Sequence, residues 1–488
     1  MKLKYSILIL LCTMFTLVVQ AQTGNFDKKK SVQSFEDFKK KQSQKFENYK
    51  KDKQLAFAKF LEQKWKEFEL FAAQQPVERP KPIDPPVADP NDTVADVKMP
   101  VAPTIIKPAE EKPVPEPVKP IVPDNVEYSK IDIEFAGHNL SLKYDRVFNI
   151  DLPQITENKI AEYWTKMAKG SFEELVYQCL QIKKDLKLND WGYYMFVNAL
   201  ANEIYSPQQK NEKVALTAFI LDNSGYKIRM GRDEENKELV LLVASADQIY
   251  RKSFFVFSGE KYYLLSDTQA KSIYTYDEWK DGEQKKAINL IISQPVKAVN
   301  SSQTKMIKSG QDGNEIAIEY NPNLREFYDK APFSDLAVYF NSECSENVVN
   351  SLRNVFTPVL SGKTKTEQVA ALLRFIHEGM PYKTDKEQFG REKYFFYEET
   401  FMYPFTDCED NAILFTYLVR KFTGLKTVGL LYHDHAAAAV RLDENIEGNY
   451  VVHNGDKYMI CDPTYFGSRI GQAMPQYLNE SAQIIEIK

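Results

Sequence analysis

Between Pro76 and Pro123 the chain places 14 of its 24 prolines and no glycine, and this block decides how everything else is organised. Proline removes a backbone donor and fixes φ, so helices and central strands are closed to such a stretch. We read residues 76–124 as a Pro-rich linker, an extended polyproline II spacer between a short N-terminal part and a C-terminal body. With 488 residues, 43% of them hydrophobic, the chain is long enough for two or three domains with ordinary cores.

Residues 1–22 carry Lys2 and Lys4, then the apolar run Ile7 to Val19, then Gln20, Ala21 and Gln22. That order of charge, hydrophobic core and small residue is a secretory signal peptide, and the run is short for a bilayer span. The expectation is an exported protein of the periplasm or cell surface. Residues 23–75 hold a repeat: Phe35, Phe46, Phe57 and Phe68 recur every 11 residues, each followed three positions later by Phe38, Tyr49, Phe60 and Phe71. Eleven residues make three helical turns, so the spacing predicts one long amphipathic helix with all eight aromatics on one stripe. Its 13 lysines against 8 acids make it a positive rod. Such a helix packs on itself or a partner, or lies on an anionic membrane surface, so residues 35–71 are a candidate for envelope or membrane-surface contact.

The net charge of −5 averages that rod with an acidic body, which argues against binding nucleic acid through general phosphate attraction. Beyond residue 124 the pattern is α+β: helices over 155–205, strand-like runs at Leu239 to Ala244, Phe254 to Phe257, Tyr262 to Leu265, Glu315 to Tyr320 and Leu336 to Phe340, then helices Glu346 to Phe356 and Lys365 to Glu378. Five cysteines are too few for a disulfide framework in a chain of this length.

Chemistry concentrates between Asp407 and Thr464. Asp407 is an N-cap, and Ala412, Phe415, Val419 and Phe422 keep helical spacing until Gly424 ends the helix, which puts Cys408 in the first turn. There the helix dipole favours a thiolate, while Glu409 and Asp410 oppose it, so the thiol needs a nearby imidazolium. A strand from Thr427 to Tyr432 leads into His433-Asp434-His435, and a later strand delivers Asp462 after Cys461. Nucleophile, base and orienting carboxylate follow in chain order. A metal held by His433, Asp434, His435 and His453 lacks a recognised ligand spacing. His377 and His138 are read as structural, as is Cys461, which alternates with Asp462 on its strand.

The run EETFMYPFTDCEDNAILFTYLVRKFTGLKT, then HDHAAAAV, then YMICDPTY, resembles the transglutaminase-like superfamily, in particular the bacterial transglutaminase-like cysteine peptidases with their Asp-Cys-Glu-Asp box. The resemblance covers roughly the last 130 residues and implies a papain/transglutaminase-like helix-plus-antiparallel-sheet domain at 341–488. It implies Cys408 as nucleophile, His435 as general base and acid, and Asp462 as the residue orienting the imidazole. His435 is preferred over His433 because the family histidine is followed by alanine; Ala437 departs from a tryptophan common in the family. Oxyanion stabilisation is expected from the Cys408 amide plus one upstream donor, with Tyr403 and Gln388 as candidates. No cofactor or metal is required.

A second pattern lies inside 125–340. NEKVALTAFILDNSGYKIR from Asn211 parallels the sequence from Cys408, ELVLLV from Glu238 parallels HAAAAV, and GEKYYLLSD from Gly259 parallels GDKYMICDP from Gly455. Asn211 stands for the cysteine, Glu238 for the histidine, and Ser266 or Asp267 near the aspartate. This predicts an inactive copy before the active domain. The sequence therefore points to an exported cysteine enzyme that cleaves or transfers amide-linked acyl groups of a peptide or protein, cell-wall peptides included. The competing class is a non-catalytic adaptor on the same fold.

Overall fold

A computed structural model describes residues 28–77, 81–89, 91–110, 117–120, 126–265, 270–279, 285–309 and 314–488. The segment read as a signal peptide lies outside them, as do Ser266 and Asp267. The strands are β1 (Lys66–Glu69), β2 (Val101–Ile106), β3 (Tyr128–Phe135), β4 (His138–Asp145), β5 (Ile228–Asp233), β6 (Leu239–Ala244), β7 (Phe254–Phe257), β8 (Glu260–Leu264), β9 (Ser272–Thr275), β10 (Gln303–Ser309), β11 (Asn314–Tyr320), β12 (Thr427–Leu431), β13 (Ala436–Val440), β14 (Tyr450–His453), β15 (Asp456–Cys461) and β16 (Ala482–Ile485). The helices are α1 (Lys28–Phe60), α2 (Glu157–Lys169), α3 (Phe172–Asp185), α4 (Asp190–Ile204), α5 (Lys210–Asn223), α6 (Arg325–Asp329), α7 (Leu336–Phe340), α8 (Glu346–Leu360), α9 (Lys365–Gly379), α10 (Asp385–Phe389), α11 (Glu399–Met402) and α12 (Cys408–Thr423). The chain is α+β, and its sheets are built mainly from antiparallel pairs.

Two six-stranded sheets follow one path. The first runs β1-β9-β5-β6-β8-β7 and the second β2-β16-β12-β13-β15-β14. Helix α5 packs on β5 and β6, as α12 packs on β12 and β13. Phe254 faces Tyr263 in the first sheet as Tyr450 faces Met459 in the second. Both hairpins turn through two residues of positive φ, Ser258 (50°) and Gly259 (81°) in one, Asn454 (50°) and Gly455 (84°) in the other. That is the backbone a two-residue turn of this hand demands.

Each sheet is closed by a strand from the N-terminal region. Residues 66–69 pair with β9, and two residues on Phe71 exchanges backbone bonds with Phe254 of β7, the opposite edge. In the second sheet Met99 donates to Tyr450 O at 2.8 Å, and Val101–Ile106 then pairs in parallel with β16. Unpaired edges are thereby covered at both ends.

These contacts correct two expectations. The aromatic repeat leaves the helix at Phe60, and Phe68 and Phe71 lie in extended chain. Phe57 and Phe60 pack on Trp164, Tyr276 and Trp279, and Tyr276 donates its hydroxyl to Leu61 O, so the tertiary partner outbids the helical period beyond that point. The Pro-rich segment is likewise more than a spacer, because Met99 is fully buried and β2 joins a sheet. Pro103 is tolerated because β2 is an edge strand and its register shifts there. The run Leu336 to Phe340, expected as a strand, is helix α7: five apolar residues buried on every side carry no period to distinguish the two.

Candidate active site

Helix α12 begins at Cys408 because Asp407 and Asp410 form a reciprocal capping box, and it ends at Gly424, whose φ of 75° is the left-handed cap. The Cys408 amide is one of the first-turn donors that the helix itself leaves without an acceptor. His435 opens β13 after a tight loop in which Tyr432 N donates to His435 O at 2.8 Å and Glu480 holds the amide and Nδ1 of His433. Asp462 follows β15. Its Oδ1 accepts from the amides of Thr464 and Tyr465, while Oδ2 lies 2.8 Å from His435 Nε2. His377, read as structural, places Nε2 3.0 Å from the main-chain oxygen of Asp462 and so ties down the backbone that carries the carboxylate.

Cys408, His435 and Asp462 are all buried, at 1%, 2% and 2% exposure. With Nε2 engaged by Asp462, Nδ1 is the imidazole nitrogen suited to a thiol. Burial works against the charged imidazole, but the Asp462 carboxylate outweighs it and raises the His435 pKa. Tyr477 stacks on the ring, 5.2 Å between centroids and 7° from parallel, and donates its hydroxyl to Asp434 at 2.7 Å. The fields of both Cys408 and Glu409 reach this corner of the site, the first acting on Tyr477 and the second on His435.

The thiol itself donates to Glu409 Oε2 at 2.8 Å. Burial first, then the neighbouring Glu409 carboxylate, push the Cys408 pKa well up, while Lys81 pulls it down. Lys81 was not found by sequence reasoning. Its Nζ reaches Asp407 Oδ2 at 2.6 Å, Glu409 Oε2 at 2.7 Å and Glu392 Oε2 at 3.2 Å, with the side chain 2% exposed. It comes from the Pro-rich block, where a single lysine among prolines carries no signal of a partner more than 300 residues on.

Beside it, Asp385, Asp407 and Asp410 bring carboxylate oxygens within 4.8 Å of one another. Burial and then Asp407 drive Asp385 up to about 9; burial drives Asp407 up to about 7 against the pull of Lys81, with Glu409 and Glu392 repelling it; and burial, Asp407 and Asp385 raise Asp410 strongly. Protonation and the Lys81 ammonium thus meet the charge of this cluster, and we assign no metal to it.

The two oxyanion candidates are engaged elsewhere. Tyr403 donates its hydroxyl to Asp329 at 2.6 Å, and the Gln388 side chain exchanges bonds with the backbone of Phe405. The Tyr382 hydroxyl, missed by sequence reasoning, is kept from ionising by burial and then by the charge of Cys408. It donates to Pro82 O at 3.0 Å. The remaining histidines are dispersed: His453 contacts Asn454, and His138 contacts Lys297 O. Cys179, Cys344 and Cys461 are buried free thiols.

No protein-family model matches the chain, and neither does any curated protein or solved structure.

Proposed function

We propose that the chain is an exported cysteine enzyme of transglutaminase-like type acting on amide bonds of peptides or proteins. Cys408 Sγ attacks the amide carbonyl as its proton passes to His435 Nδ1, giving a tetrahedral oxyanion beside the Cys408 amide. The imidazolium then protonates the departing nitrogen, the C–N bond breaks and a thioester remains. Water or an amine, deprotonated by His435, attacks the thioester and the thiol is regenerated. Asp462 keeps the imidazole oriented and stabilises its charged form. The observation that carries this reading is the buried His435–Asp462 pair at 2.8 Å, set against a helix whose first residue is Cys408.

The common strand path and hairpin register of the two sheets support reading the first as an inactive copy. At the corresponding helix start, Lys210 Nζ meets Glu238 Oε1 at 2.7 Å, and Asn211 Oδ1 accepts from Leu239 N at 2.8 Å. Asn211 and Glu238 stand where the second copy has thiol and imidazole, so no thioester can form there. The exposed Phe38, Phe46 and Tyr49, with Lys50 and Lys53 over two of the rings, are the part of α1 left for an anionic surface or partner. Among the described residues no helix is long and apolar enough to cross a membrane. The adaptor reading keeps one observation in its favour, the thiol bonded to Glu409 rather than to His435.

The test is the shape of the pH profile of Cys408 alkylation by iodoacetamide, read site by site by mass spectrometry. A thiol served by His435 labels with an inflection below the ordinary value of about 8.5, and His435→Ala abolishes that low-pH arm. A profile that His435→Ala leaves unchanged ends the enzyme reading.

A further inference from the structure

We propose that residues 81–89 fill the peptide groove of the candidate site as a tethered occupant, and that the subsite beside Cys408 is built for a cationic side chain of an extended peptide. This rests on the enzyme reading and names the class of chain that the site would take.

The segment touches the site at both ends. At one end the Lys81 ammonium sits on Asp407 and Glu409, the residues flanking Cys408, and shares Glu409 Oε2 with the thiol. Next to it Pro82 O accepts from Tyr382. At the other end the backbone pairs with Phe466: Phe466 N donates to Pro86 O at 3.0 Å and Ala88 N donates to Phe466 O at 2.8 Å. Phe466 in turn lies against His377, the residue that steadies Asp462. The segment thus runs from the residues flanking Cys408 to Phe466, four residues beyond Asp462.

Its side chains show what the groove selects. Ile83 and Val87 are 71% and 73% exposed, whereas Lys81 and Ala88 point inward. Recognition is therefore one buried cation, one small residue and main-chain pairing, which is how an extended peptide is held along a strand edge. A buried ammonium needs paired carboxylates, and here two of them belong to the turn that carries the nucleophile. While the segment stays, the thiol bonds to Glu409. Its departure frees Asp407, Glu409, the Tyr382 hydroxyl and the Phe466 main chain together, for another peptide of the same kind.

The experiment compares iodoacetamide labelling rates at pH 7.5 in the full chain, with Cys179, Cys344 and Cys461 as internal controls for unfolding. Lys81→Glu, and separately Ala88→Pro, which removes the amide bonded to Phe466 without touching the charge cluster, should each speed labelling of Cys408 roughly tenfold or more while the controls stay slow. A synthetic peptide KPIDPPVAD should then protect Cys408 in Ala88→Pro, and the same peptide with glutamate in place of its lysine should not. Unchanged Cys408 labelling in both variants, equal acceleration of all four thiols in both, or equal protection by the two peptides overturns the proposal. The two readings fail separately: opening and peptide protection that persist in Ala88→Pro/His435→Ala with an unaltered pH profile leave a peptide groove without an enzyme.

Discussion

At the scale of single residues the site is governed by how little water reaches it. Asp385 illustrates this, since its carboxyl is 1% exposed, accepts from Lys393 N at 2.7 Å and is driven up to about 9 by burial and by Asp407. Glu173 and Asp247 are pushed the same way by burial, to about 7 and about 6. For a carboxyl whose folded value exceeds its unfolded one, the folded state binds more protons in between, so its contribution is full below the unfolded value near 4 and is lost as pH rises towards the folded value. Thermal unfolding should therefore show the protein losing stability between pH 4 and 9. Asp385→Asn, which keeps an acceptor for Lys393 N and cannot ionise, should lose less over that range. An identical slope in the variant would mean that Asp385 is ionised in the folded chain.

At the scale of elements, α12 shows which local signals were sufficient. Its start at Cys408, its capping Asp407 and its end at Gly424 all follow from side chains within one turn of each terminus, and the structure reproduces them. A Cβ at Gly424 would meet nothing within 4 Å, so Gly424→Ala tests backbone conformation alone. It should cost about 1 kcal/mol in urea unfolding, the penalty for a left-handed residue with a side chain. A neutral result would mean that the cap relaxes. Helix α1 shows the opposite case. Its 11-residue period is intrinsic, but the turn out of the helix after Phe60 is set by Trp164, Tyr276 and Trp279, which lie more than 100 residues away.

At the scale of the whole molecule the N-terminal region is part of the fold. Residues 66–71 and 97–106 close the two sheets, and Phe60, Leu61, Trp65 and Met99 are buried. At roughly 1.5–3 kcal/mol for each large side chain, those four alone approach the total stability of a domain, about 5–15 kcal/mol. A chain beginning at residue 125 should lose cooperative urea unfolding and bind hydrophobic dye. A spacer, by contrast, could be removed with near-UV circular dichroism and cooperativity intact, and that outcome would contradict the role of both arms.

The sequence by itself determined what depends on near neighbours: the helix that begins at Cys408 and the strands either side of the His433 loop. The choice of His435 over His433 came from the family resemblance rather than from spacing, and it is folding that brings His435 Nε2 within 2.8 Å of Asp462. Only the tertiary structure decided that the Pro-rich block supplies an edge strand, that Lys81 sits on the carboxylates beside the thiol, and that the Tyr403 hydroxyl and the Gln388 amide are turned to Asp329 and Phe405. The reason is physical. A proline block announces only what it cannot form, whereas the partner of a buried ammonium is chosen by burial itself, through a pairing energy that exists only once water has been excluded.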